Sequence, residues 1–221
     1  MWKIYTRREG SLYLAFEKAI YQESLEELQV YLPLCLDHKG GFLASPFSMF
    51  HAASEEQAEF TCIGQIEVVC PEDMPTVLMF GYDAWHEGRD EKAFIEDYDS
   101  CPNHLRGRRY GLRLSSGELV AGLNTIRFTK DLSGIASVAT CKGHRKKGYS
   151  RMLLTAVSLL LKEYEGMERF MLFSEPDPSM YEKQGYKILA ANHQHFAPSV
   201  AMLRANSPLR KEEARFLKTY F

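Results

Sequence analysis

The most regular pattern in the chain lies between Arg151 and Tyr164. Met152, Leu153, Ala156, Val157, Leu160, Leu161 and Tyr164 recur there at i, i+3 and i+4, which predicts one long amphipathic helix. Before it, Ile135 to Thr140 is a run of apolar, small and β-branched residues of strand length, and after it Phe170–Phe173 reads as another strand. Upstream, FTCIGQIEVV (Phe60–Val69) predicts a strand ending at Cys70-Pro71. PEDMPTVLMFGYDAW then starts a helix with acidic residues in its first turn, and DEKAFIEDYDS continues as a second helical segment. Arg108 to Ser115 and Glu118 to Thr129 predict strands around a Ser115-Ser116-Gly117 turn. Late strands are expected at about Tyr186–Ala190 and His195–Leu203. From Phe60 onward the order is therefore β-α-α-β-β-β-α-β-α-β-β.

The two ends read differently. Residues 1–59 are expected to form a helical N-terminal extension. Leu12, Ala15, Phe16, Ala19 and Ile20 follow helical spacing, and Ser24 to Glu27 and Ser54 to Gln57 offer capping boxes. Ser45-Pro46 suits the start of a further short helix. Residues 207–221 predict a C-terminal amphipathic helix, with Ser207 as N-cap, Pro208 at its first position, and Leu209, Phe216 and Leu217 on one side.

Composition narrows the class without naming a function. With 45% hydrophobic and 25% charged residues, the 221-residue chain is an ordinary globular one. A net charge of −2 argues against general nucleic-acid affinity, which calls for a strongly basic domain. No run approaches the roughly eighteen apolar residues of a membrane helix, and MWKIYTRREG is unlike a signal peptide. The five cysteines are scattered, odd in number and form no CxxC, which fits reduced thiols and a cytoplasmic location. His193 and His195 fall on one strand face, but two ligands do not make a metal site, and no metal is expected.

Against that near-neutral background the segment Cys141 to Ser150 is locally cationic, with Lys142, Arg145, Lys146 and Lys147 around Gly143 and Gly148. Its position at the N-terminus of the long helix matters. First-turn N–H groups have no intrahelical partners there, and the helix dipole favours an anion. The pattern is neither a P-loop nor G-x-G-x-x-G, so on residue types alone Lys146 and Lys147 read equally well as a solvated surface.

The sequence VAT-x-x-x-x-R-x-x-G-x-S, followed by helix, strand and then MYEKQGY, resembles the GCN5-related N-acetyltransferase (GNAT) superfamily. One departure is Ser150, where that family usually has Gly or Ala. The resemblance implies an α/β fold, a mixed sheet with helices on both faces, over residues 60–206. It implies an acetyl-CoA-dependent N-acetyltransferase that passes its acetyl group directly to a primary amine. Arg145, Lys146, Lys147, Gly148, Tyr149, Ser150 and Arg151 would form the pyrophosphate cradle. Val138, Ala139 and Thr140 would supply backbone contacts to pantetheine and the thioester carbonyl. Ser174 stands where the family often has an Asn touching the cofactor. Tyr181 would protonate the departing thiolate, since a phenol with a pKa of about 10 keeps its proton at pH 7. By residue type alone, Tyr181 is simply a packing tyrosine. No general base is evident; Glu67, Asp83, Glu87 or a water chain are candidates. The amine acceptor, a small molecule or a protein, and any homodimer stay open. A different acyl-CoA, or a non-catalytic acyl-CoA-binding module, are the competing readings.

Overall fold

A computed structural model of the chain describes residues 2–7, 12–16, 30–33, 60–101, 107–174, 178–192, 199–204 and 210. Its strands are β1 (Trp2–Arg7), β2 (Leu12–Phe16), β3 (Val30–Pro33), β4 (Phe60–Val68), β5 (Arg108–Leu114), β6 (Leu119–Arg127), β7 (Leu132–Thr140), β8 (Arg169–Ser174), β9 (Lys187–Asn192) and β10 (Ser199–Arg204). The helices are α1 (Met74–Met79), α2 (Tyr82–Trp85), α3 (Glu91–Ser100), α4 (Tyr149–Glu165) and α5 (Ser179–Glu182). The strands form one mixed sheet in the order β3-β2-β1-β4-β5-β6-β7-β8-β10-β9. Among the described strands only the β7–β8 pair is parallel, an arrangement that needs the crossover α4 provides.

Helix α4 forms for the reason its sequence suggests. Leu153, Leu154, Ala156 and Val157 are fully buried, and with Leu160 and Leu161 they pack on Tyr110, Leu112, Ala121, Leu123 and Ile135 of the sheet. Each such leucine contributes about 1.5–3 kcal/mol by leaving water. Left-handed glycines bound the helix, Gly148 at φ 84° and Gly166 at φ 67°. On the opposite face, α1 packs Val77, with Phe80 just beyond it, against Val69 and Leu119. Asp90 caps α3 by accepting a 2.8 Å hydrogen bond from the Ala93 N–H.

The N-terminal region departs from the helical expectation. Its described residues are the strands β1, β2 and β3, which extend the sheet beyond β4. WKIYTR alternates two-fold, and the apolar i, i+3, i+4 spacing of Leu12, Ala15 and Phe16 was too short to decide the period. The deciding partner is remote in sequence. β1 pairs antiparallel with β4, Trp2 opposite Ile66, and Ile4 is fully buried beside Ile66 and Leu112. Ala19 and Ile20, the capping boxes at Ser24 and Ser54, Ser45-Pro46, His193 and His195 lie outside the described residues. So does the predicted 207–221 helix, apart from Arg210. Among the described residues no helix is long and apolar enough to cross a membrane.

Candidate active site

The site grows from an irregularity in β7. Opposite β6, Gly122 pairs with Ala139 and Asn124 with Ala136, so two β7 residues face a single β6 residue. Within this bulge Ser137 adopts φ 52°, a left-handed conformation uncommon for serine. Pairing with β8 runs only from Leu132–Arg169 to Ile135–Leu172. β10 pairs with β8 on its other edge from Phe170 to Ser174, so beyond Leu172 β8 is held by β10 alone, with Phe173 opposite Ala201 and Ser174 opposite Val200. The two parallel strands therefore part at the bulge, and the backbone of residues 138–140 borders the gap. The side chains there pack on either face: Val138 against the α4 core, Ala139 against the cluster of Val69, Val77, Phe80 and Leu119.

At the end of β7 the chain passes through a short 3-10 turn, Lys142–His144, and enters α4 through Gly148. The first helical hydrogen bond runs from the Met152 N–H to the Gly148 carbonyl at 2.9 Å. The N–H groups of Tyr149, Ser150 and Arg151 precede it and so point out of the helix end. A methyl group built on Gly148 would meet nothing within 4 Å, so its conformation, not crowding by protein, is what calls for glycine. The hydroxyls of Thr140 and Ser150 hydrogen-bond to each other and tie the end of β7 to the first turn of α4.

A cavity of about 550 Å³ opens at this helix end, lined by Thr140, Lys146, Lys147, Gly148, Tyr149, Ser150 and Arg151 from the loop side. Ser179, Met180 and Lys183 of the α5 region close it from the other side. Lys146, Lys147, Arg151 and Lys183 are exposed, and among the described residues none of them pairs with a carboxylate. Four cations and a helix N-terminus thus face one volume, an arrangement that takes a multiply charged anion. Lys183 lies inside the MYEKQGY segment but drew no role from the sequence. Only the approach of α5 to the loop reveals it.

Other expected residues sit elsewhere. The Arg145 side chain is turned away from the cavity. Its Nε donates to the Thr140 carbonyl and its Nη2 to the Phe80 carbonyl, both at 3.2 Å, and its Nη1 lies 3.3 Å from Asp83 Oδ2. Ser174 is buried at the end of β8 and does not line the cavity. Tyr181 sits on α5 between cavity residues Met180 and Lys183. It is half-buried, packs against the α4 core, and meets the Tyr186 ring edge-on with centroids 6.0 Å apart.

The three candidate bases are all engaged by cations. Glu67 accepts from Arg113 at 2.7 Å, Asp83 pairs with Arg145 and Lys142, and Glu87 lies 3.4 Å from Arg89. On the α3 side of the bulge, the Ser137 hydroxyl donates to Tyr98 Oη at 3.3 Å. Burial pushes the Tyr98 phenol upward, against the hydrogen bond from Ser137 and the positive charges of Arg109 and Arg89. Neither Ser137 nor Tyr98 was singled out by the sequence, because a bulge leaves no local signature in IASVAT. Among the described residues no group of three or more His, Cys, Asp or Glu is placed to hold a metal ion.

Comparison with known proteins agrees with this geometry. The family model described as Acetyltransferase (GNAT) family matches residues 72–186, more than half of the chain. No curated protein matches at a significant level. Among solved structures, Ard1 from Thermoplasma volcanium superposes with a TM-score of 0.52 at 18% identity, covering 64% of this chain and 97% of its own. The dodecameric spermidine N-acetyltransferase from Vibrio cholerae gives 0.51 at 13% identity, covering 63% and 91%. At such identities the likeness is one of fold.

Proposed function

The chain belongs to the acetyltransferase (GNAT) family, and from that premise we propose that it transfers an acetyl group from acetyl-CoA directly to a primary amine. The observation that carries this reading is the cationic cavity at the N-terminus of α4, set beside the parting of β7 from β8. The residues present fit a coenzyme A pyrophosphate. Lys146, Lys147 and Arg151 supply charge, the α4 N–H groups supply donors, and Gly148 lets a phosphate approach the backbone. Acetyl-CoA brings the activated thioester. The backbone of residues 138–140, at the open stretch of β7, would polarise its carbonyl. The amine nitrogen then bonds to the carbonyl carbon, the C–S bond breaks, and the nitrogen gives up a proton to solvent. Tyr181 would deliver a proton to the departing thiolate.

In this reading the acceptor reaches β7 from the face covered by α1–α3, past Tyr98 and Ser137. Glu67, Asp73, Asp83, Glu87 and Asp97 are already paired with basic side chains. That favours an acceptor with a single amine over a polycation. The test is release of free thiol from acetyl-CoA with a panel of small amines and peptide amino termini. At least one amine should support turnover in wild type, and Tyr181→Phe should lower kcat about 100-fold, within the usual range for a general acid, while leaving acetyl-CoA binding intact. Tight acetyl-CoA binding with no thiol release across the panel would instead support a non-catalytic acyl-CoA-binding module. Faster turnover with a longer acyl chain would replace acetyl-CoA as the donor.

A further inference from the structure

Arg145 spans three elements with one guanidinium. Nε holds the Thr140 carbonyl at the end of β7, Nη2 holds the Phe80 carbonyl at the end of α1, and Nη1 pairs with Asp83 in the first turn of α2. Lys142, from the same loop, reaches the same Asp83 oxygen at 3.6 Å. The cations of this basic loop are thus divided. Lys142 and Arg145 are fastened to the α1–α2 turn, while Lys146 and Lys147, next in sequence, face the cavity without a described acidic partner. Between the two sets the backbone passes through Lys146 at φ 63°, a left-handed conformation uncommon for lysine.

We propose that Arg145 is a positioning residue that joins the co-substrate loop to α1 and α2, so that filling the cavity with acetyl-CoA also orders the helices on the acceptor side. The proposal rests on the reading of that cavity as the coenzyme A cradle. The physical route is short. An anion bound by Lys146, Lys147 and the α4 N-terminus fixes the loop, and Arg145, one residue earlier, fixes the ends of α1 and α2 through its planar fork. Lysine, with a single ammonium, does not reproduce that three-way grip. Ala139 and Cys141 reinforce the joint by packing on the Val69, Val77, Phe80 and Leu119 cluster from the β7 side. Binding of the first substrate would then prepare the pocket for the second.

Amide hydrogen exchange on the full chain, with and without saturating acetyl-CoA, tests this without knowledge of the acceptor. In wild type, acetyl-CoA should slow exchange both in residues 149–156 and in residues 74–86. In Asp83→Asn and in Arg145→Lys, which keeps the loop's charge, the slowing at 149–156 should persist. At 74–86 it should fall by about fivefold, the scale of a well-placed surface ion pair. Equal protection of 74–86 in wild type and both variants would overturn the proposal, as would protection of 149–156 alone in wild type. If acetyl-CoA protects neither segment, the cradle reading itself fails and the coupling fails with it.

Discussion

At the scale of single residues, charge placement distinguishes side chains built for structure from those free for ligand. Asp131, in the β6–β7 turn, is an example of the first kind. Burial works against its ionisation, but it is outweighed by hydrogen bonds from Arg169 and Thr129 and by the charges of Arg169 and Arg210, leaving its pKa at about 2. Arg169 is itself buried, and its Nη2 lies 3.0 Å from Asp131 Oδ2. A carboxylate held below its unfolded value of about 3.9 adds stability above that pH, and the contribution disappears as pH falls through the folded pKa. Urea unfolding of wild type should therefore lose stability between pH 4 and about 2 more steeply than Asp131→Asn. Parallel curves for the two proteins would contradict the assignment. Arg145 shows what residue type leaves out. Its place in the basic loop suggests phosphate contact, and only Asp83 and the Phe80 carbonyl, 62 and 65 positions away in the chain, show that it is occupied elsewhere.

At the scale of elements, the long helix and the strands from Phe60 onward were legible and the N-terminal strands were not. Four turns of consistent spacing identified α4, whereas the basic loop before it read, on residue types alone, equally well as a solvated surface. Strands β1 and β2 each offer only a few apolar positions, and the pairing of β1 with β4, which joins both to the sheet, is a long-range fact that no local window contains. The β7 bulge was hidden for the same reason, since its register is defined by β6. The two glycines bounding α4 provide an internal control for the cradle. Both are left-handed and neither has neighbours within 4 Å of an added Cβ, but only Gly148 lines the cavity. Gly148→Ala and Gly166→Ala should each destabilise the protein by about 1 kcal/mol in thermal or urea unfolding. Acetyl-CoA affinity should fall only in Gly148→Ala. Equal affinities in the two variants would mean that the backbone at Gly148 does not approach the ligand.

At the scale of the whole molecule, a chain of net charge −2 concentrates four exposed cations around one cavity. The sheet makes this possible. Its parallel β7–β8 pair carries α4 across and then opens, so loop, helix terminus and strand gap meet at one place. An anion entering there meets local positive potential that the overall charge does not reveal. Acetyl-CoA binding in this reading depends on that local potential, and calorimetric titration with acetyl-CoA addresses it most directly. Wild type should bind with a Kd near or below about 100 μM, within the usual range for an enzyme's substrate. Combined Lys146→Ala, Lys147→Ala and Lys183→Ala substitution should weaken binding by about a hundredfold, with the remaining affinity less sensitive to salt. Absence of any binding heat or thermal shift with acetyl-CoA in wild type, or unchanged affinity in the triple variant, would contradict the assignment of the α4 cavity as the coenzyme A cradle.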